Sequence, residues 1–192
     1  MIQVVQDTLR RFYQQHDHET YLRRCRQALD VAELVVDIVQ GYSTESIDVL
    51  DYGIWPAWEV RTRFPTYRRG AFAARFDTTI KISKIAKLFH VLHGFDVENR
   101  HVTRVAPTLD GYGDIGYISC QFQLHEKVRD ALVERGYAEL DLADMEEIIP
   151  ELSFPESVTI FGRQVSVEYA LFHDVVLGLC VNDSAKPHSP RP

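Results

Sequence analysis

The chain has 192 residues, 45% of them hydrophobic and 26% charged, and a net charge of −7; these values suit a folded globular protein and exclude a disordered polymer or a fibrous repeat. No apolar run approaches the roughly 20 residues a membrane-spanning helix requires, and Met1–Asp7 has neither a basic n-region nor a continuous apolar core, so no signal peptide is read and the expected location is the cytoplasm. Charge is unevenly placed: Glu59–Arg104 holds ten Lys or Arg against four acids, a net +6, whereas Glu139–Glu156 holds seven acids and no base.

In chain order, Ile2, Val5, Leu9 and Phe12 recur at helical spacing, and His16-Asp17-His18 interrupts them. Leu22, Cys25, Leu29, Ala32, Val36 and Val39 then alternate spacings of three and four, which predicts one second helix stopping at Gly41. Val31, Leu34 and Val35 make its stripe too wide for a two-stranded coiled coil, so it is read as packed on a domain core, with homodimerisation through it as the alternative. The pattern changes after Ser46. Ile47, Val49 and Leu50 form a short apolar piece, and Tyr52–Pro56 is a turn. Trp58–Phe64 alternates like a half-buried strand ending at Pro65. Ala71–Ile82 is extended, with Phe76, Thr78, Ile80 and Ile82 on one face and Arg75, Asp77 and Lys81 on the other.

Residues 83–97 support two readings. Ser83 caps a helix that ends at Gly94, or Leu88–Val97 is a strand running back along Ala71–Ile82. The strand is favoured because the preceding residues are already extended and no turn residue follows Ile82. Ala106–Gly116, with three glycines and two prominent aspartates, predicts an irregular loop. Ser119 is expected to cap a helix that Gly136 ends, and Asp141 to open a short helix through Ile149, stopped by Pro150. Glu156–Ser166 reads as a small hairpin turning at Gly162-Arg163. Ser166 is expected to cap a last helix through Cys180, followed by a disordered tail from Asp183 to Pro192.

Helices at both ends and strands between them predict one α+β domain over 1–182, with a central, mostly antiparallel sheet flanked by an N-terminal helical hairpin and C-terminal helices. No phosphate-binding P-loop is present. Gly111-Tyr112-Gly113-Asp114-Ile115-Gly116 matches GxGxxG in letters only, because Pro107 and a polar stretch precede it where a strand is needed. The three cysteines, Cys25, Cys120 and Cys180, contain no CxxC and read as reduced core thiols. No cofactor is expected.

Candidate chemistry is thin. His90, His93 and His173 are candidate metal ligands of a hydrolase, but His90 and His93 share a face only on a helix. In outline, histidines followed by His173-Asp174 resemble the HD phosphohydrolases, yet the later aspartate of that family is matched here only by Asp183. Trp55, Trp58, Phe64 and Tyr67 interleave with Arg61, Arg63, Arg68 and Arg69, a composition used both for single-stranded nucleic acid and for protein hot spots. The net negative charge argues against nucleic acid. The expected function is therefore non-enzymatic protein binding, in the manner of a bacterial immunity or inhibitor protein, with an unidentified protein as partner and no membrane. Asp141, Asp144, Glu146, Glu147 and Glu151 would form one contact surface, and Trp55, Trp58, Arg61 and Arg63 a second. The alternatives are the metal-dependent hydrolase and single-stranded nucleic acid binding through 55–69. Internal pairing of the acidic and basic blocks is the plain structural explanation.

Overall fold

The computed structural model describes residues 2–42, 44–101, 108–154, 164–173 and 180–181. The chain opens with α1 (Gln3–Leu9), which continues through a π-helical turn at Arg10–Gln14. His16, after this turn, adopts a positive φ of 54°. Asp17 then caps α2 (His18–Arg26), its side chain accepting from the Thr20 N–H. The single helix expected from Leu22 to Val39 is two. The chain leaves α2 at Gln27, in extended conformation, and restarts as α3 (Ala32–Gln40). The apolar stripe is continuous, but its two halves serve different cores: Cys25 faces one and Val31, Val35 and Val39 face another.

Strands β1 (Ser46–Leu50), β2 (Ala57–Arg63), β3 (Tyr67–Arg69), β4 (Phe72–Ser83), β5 (Leu88–Asn99) and β6 (Thr108–Gly113) follow. They join in the order β1-β2-β4-β5-β6, with β3 on β4, and all these pairs are antiparallel. The sheet is mostly antiparallel, as the sequence predicts. The 83–97 ambiguity resolves as a strand from Leu88. Its turn at Lys84–Lys87 has no Gly or Pro and is held by the Lys84 N–H donating to the Pro56 carbonyl and by burial of Ile85. Ser83 caps no helix; its hydroxyl donates to the Leu171 carbonyl at 3.1 Å.

The period of two divides the sheet into unlike faces. On one, Trp58, Ile82 and Phe89 lie in one cross-strand row, Val60, Ile80 and Val91 in the next, and Thr62, Thr78 and His93 in a third. α3 and α4 (Ser119–Glu134) cover this face with Val31, Val35, Val39, Leu124, Val128 and Leu132, each buried Val or Leu contributing roughly 1.5–3 kcal/mol. On the other face, Glu59 aligns with Lys81 and His90, Arg61 with Thr79 and Leu92, and Arg63 with Asp77 and Gly94. Arg61 and Arg63 are exposed on this polar face, as an antiparallel sheet tolerates, whereas His90 on it is buried.

A second core lies where β4 turns into β5. Ile85, Leu88 and Ala57 meet α1, α2 and the C-terminal elements there. Those elements are β7 (Ala138–Glu139), parallel to β5, α5 (Leu142–Glu146), β8 (Ile148–Ser153), β9 (Gln164–Ser166), α6 (Val167–Phe172) and β10 (Cys180–Val181). β8 lies between β10 and β9 in a separate small sheet. The Tyr13 hydroxyl donates to the Ala170 carbonyl across 157 residues of sequence, binding the two ends of the chain into this core.

Several boundaries differ from expectation. Ser119 is the first helical residue of α4 rather than its cap; the Gln121 amide oxygen instead accepts from the Tyr117 and Ile118 N–H groups. Gly136, at φ 79°, ends that helix as expected. α5 stops at Glu146, and Pro150 lies inside β8. Proline is tolerated there because the β8–β9 register is irregular between Ile148 and Ser153. Ser166 does cap α6, but the helix ends at Phe172. His173 is extended, its ring against Tyr169, and Cys180 belongs to a strand. Most of the expected 156–166 hairpin and the tail lie outside the described residues. Cys25 is buried, whereas Cys120 is exposed on α4 rather than in a core.

Candidate functional site

β6 is the main correction to the sequence reading, and it creates the most distinctive surface. The glycine-rich stretch expected as loop pairs with β5 from Glu98↔Thr108 to His93↔Gly113. Glycine is needed in this strand for close approach rather than for a turn. A Cβ on Gly111 would lie 2.7 Å from the Phe95 ring, which covers it and meets Tyr117 edge-on at 4.5 Å between centroids. A Cβ on Gly116 would meet the Phe122 backbone nitrogen at 2.8 Å, so that glycine lets the chain fold back tightly onto the start of α4.

β6 ends the sheet order, and among the described residues no strand pairs with its outer edge. Large apolar side chains run along and around that edge. Leu109 and Tyr112 are on the strand, Ile115 and Tyr117 follow it, and Phe122 is on the first turn of α4; Tyr112 is 65% and Ile115 79% exposed. Acids flank them. Asp110 is on the strand, and Asp114 accepts from the Leu142 N–H at 2.8 Å, which sets the N-terminus of α5 beside the end of β6. The other oxygen of Asp114 is buried without a hydrogen-bond partner. An edge with unpaired backbone groups, apolar side chains and a carboxylate rim can accept an added strand.

The acids expected to form one surface are divided by the fold. Asp141 and Asp144 cap α5 reciprocally, each side chain accepting from the other's backbone N–H, and lie near β6. Glu146 and Glu151 are exposed. Glu147 and Glu151 line a cleft of about 320 Å³ beside Arg10 and Tyr13.

The second expected surface is divided as well. Trp55 is partly exposed, its ring tilted against Tyr52 at 4.7 Å between centroids and against His173 at 6.1 Å. Trp58 cannot belong to that surface: it is 3% exposed, on the helix-covered face of β2, where burial of its rings takes precedence over contact with a partner. Arg61 and Arg63 are exposed on the polar face, in a trough of about 420 Å³ shared with Asp48 and Asp77. Burial holds the Asp77 carboxyl above its ordinary range, against the pull of Arg63 and Arg61. Among the described residues, five of the ten cations of the basic block pair with acids outside the acidic block: Arg61 with Glu59, Arg75 with Asp96 and Glu98, Arg100 with Glu98, Lys84 with Asp51 and Lys81 with Glu168.

The candidate ligands His90, His93 and His173 are not brought together. On β5, His90 and His93 point to opposite faces. His90 donates through Nδ1 to the Leu140 carbonyl at 2.8 Å, and His173 pairs with Glu168. Among the described residues no group of three or more His, Cys, Asp or Glu side chains is placed to hold a metal ion.

His93 instead belongs to a polar chain inside the sheet–helix layer that residue spacing did not reveal. Thr78 Oγ1 meets His93 Nδ1 at 2.9 Å, His93 Nε2 meets His125 Nδ1 at 3.1 Å, and His125 Nε2 meets Glu139 at 2.5 Å. Both rings neutral satisfy the chain, each donating toward Glu139. One added proton on His125 also satisfies it, with the His93 ring and the Thr78 hydroxyl reversing direction. Burial, then His125, depress the His93 pKa to about 4. Thr78 and His93 are fully buried, and the chain reaches the partly exposed side chains of His125 and Glu139 at its other end.

No helix among the described residues is long and apolar enough to cross a membrane. No protein-family model, curated protein or solved structure matches this chain.

Proposed function

We propose that this chain is a non-enzymatic protein-binding module that receives an extended, basic segment of a partner protein along the free edge of β6. The observation that carries the reading is the coincidence of a strand edge that pairs with no other described strand and the exposed side chains of Leu109, Tyr112 and Ile115, flanked by Asp110, Asp114, Asp141 and Asp144. Backbone pairing supplies affinity in such a mode, and alternate side chains and charge supply selectivity. The acidic rim favours a partner strand with Lys or Arg beside its apolar residues, and an inhibitor or immunity-type role against a basic protein is the form that the charge favours.

The test is native mass spectrometry of the untagged protein, enriched at low salt from its own host, beside a Leu109→Lys/Tyr112→Lys variant. Both side chains are exposed, so the fold should persist, and edge lysines block strand addition. A stoichiometric second polypeptide that carries a basic segment and is lost in the variant supports the reading. A complex that survives the change, or a homodimer alone that the change abolishes, overturns it.

A further inference from the structure

A second site lies away from β6. The end of α2 and the β4–β5 turn enclose a cleft of about 550 Å³, within the range of small-molecule sites, lined among others by Arg24, Gln27, Asp30, Lys84, Lys87 and Tyr137. Three cations face one acid there, in a chain whose net charge is −7.

How these groups are held matters more than their number. The Arg24 guanidinium donates to the Ile85 carbonyl, and Lys87 Nζ donates to the Arg135 carbonyl at 2.9 Å. Neutral carbonyls thus position both cations, and among the described residues neither forms an ion pair. Arg24 is strained electrostatically: burial, then Arg11 and Arg23, hold its pKa below the ordinary value. Lys84, nearly buried, is neutralised by Asp51 and donates to the Cys25 carbonyl at 2.9 Å. The only lining acid, Asp30, already accepts from the Tyr137 hydroxyl at 3.0 Å. The Arg24 guanidinium also lies 5.7 Å from the centre of the Phe12 ring and Lys87 Nζ 5.4 Å from that of Tyr137, so two cations without a carboxylate partner among the described residues share the cleft. Of the five N–H groups of Arg24 and the three of Lys87, one each is engaged by the carbonyls.

We propose that this cleft binds a small phosphate-bearing molecule, with Arg24 and Lys87 on the phosphate oxygens. A phosphate dianion matches two unpaired cations in charge, and a guanidinium fork suits its geometry. The cleft is larger than a phosphate group, and Leu29 and Ala86 supply an apolar wall for an organic part.

The experiment is calorimetric titration of the full chain with inorganic phosphate and with adenosine monophosphate at constant ionic strength, repeated on Lys87→Gln and Arg24→Gln. Lys87 is exposed, so its variant should fold even where Arg24→Gln, which loses the Ile85 contact, unfolds. Saturable binding of either probe, weakened about tenfold or more in Lys87→Gln, supports the site. Tighter binding of the nucleotide than of phosphate assigns the apolar wall to an organic part, and equal binding assigns the site to the free anion. No saturable binding of either probe, or equal affinity in Lys87→Gln, overturns it.

Discussion

His93 and His125, 32 residues apart, share a hydrogen bond of 3.1 Å between ring nitrogens, and that bond ties the buried face of β5 to α4. It accepts one proton between the rings but not two, because two imidazolium rings would present donors to each other. His93 titrates at about 4 in the fold against 6.5 in an unfolded chain. The unfolded state therefore takes up this proton first, and stability present above 6.5 is lost as pH falls toward 4. The expected loss is on the order of 3 kcal/mol. The other groups facing His93 are His125 and Glu139, with His90 on its own strand. Urea unfolding at pH 7 and pH 4.5 should show the loss in the wild type, and His93→Gln should flatten it; an unchanged slope in the variant refutes the assignment.

A second acid-sensitive contact sits at α6. Glu168 accepts from His173 and from Lys81, and these partners hold its carboxyl at about 2 in spite of burial. Its stabilisation is complete above the unfolded value of 4.5 and is lost as pH falls through that value toward 2. Acid unfolding should therefore have a lower component, distinct from that of His93. Glu168→Gln is expected to remove that component and leave the upper one; a variant whose profile matches the wild type below pH 4.5 would show that the contact does not persist in solution.

Gln121 is fully buried at the start of α4, and its side chain makes four hydrogen bonds. The amide nitrogen donates to the carbonyls of Asp77 and Gly94, and the oxygen accepts from Tyr117 and Ile118. One side chain thus fixes the helix to two strands and to the loop after β6. Gln121→Ala leaves those backbone groups without this partner and should cost about 3 kcal/mol. Chemical denaturation measures it, and a loss below about 1 kcal/mol would mean that water replaces the amide.

Trp55 and Trp58 are neighbours in sequence with opposite surroundings. Trp58→Ala removes a core side chain and should cost about 3–5 kcal/mol, whereas Trp55→Ala, at the surface against Tyr52, should stay within roughly 1 kcal/mol. Their emission should separate too. Iodide should quench Trp55 readily and Trp58 hardly at all, and equal quenching would contradict the assigned faces.

β2 and β4 were legible because they alternate, and Thr78, Ile80 and Ile82 read as one face and lie on one; β5 was favoured over a helix only because the residues before it are extended and no turn residue follows Ile82. Ser166 and Gly136 marked a helix start and a helix end by local chemistry alone. β6 was not legible, since glycines signal a loop unless a ring elsewhere fills the space they leave, and nothing near Gly111 announces Phe95. The break between α2 and α3 was hidden because both halves of one apolar stripe are buried, but against different partners. The same holds for the candidate interface. The acids were visible, but their division among α5, β6 and the α1 cleft depends on contacts such as Asp114 to Leu142, which spacing does not encode.

The Tyr13–Ala170 contact has a consequence for how the protein is made. The sheet core beneath α3 and α4 can close once residues through Tyr137 exist, because all its members lie between Val31 and Tyr137. The core around α1 cannot, because it includes Val165, Ala170 and Phe172. At roughly 5–20 residues per second, the ribosome adds the 157 residues separating Tyr13 from Ala170 in on the order of 10 s, during which the core of Val5, Leu9 and Phe12 lacks the cover that Val165, Ala170 and Phe172 complete. α1 is made before the segments that complete its cover and is among the last of these helices to be fully buried, and in the cell it is where a chaperone would find this chain.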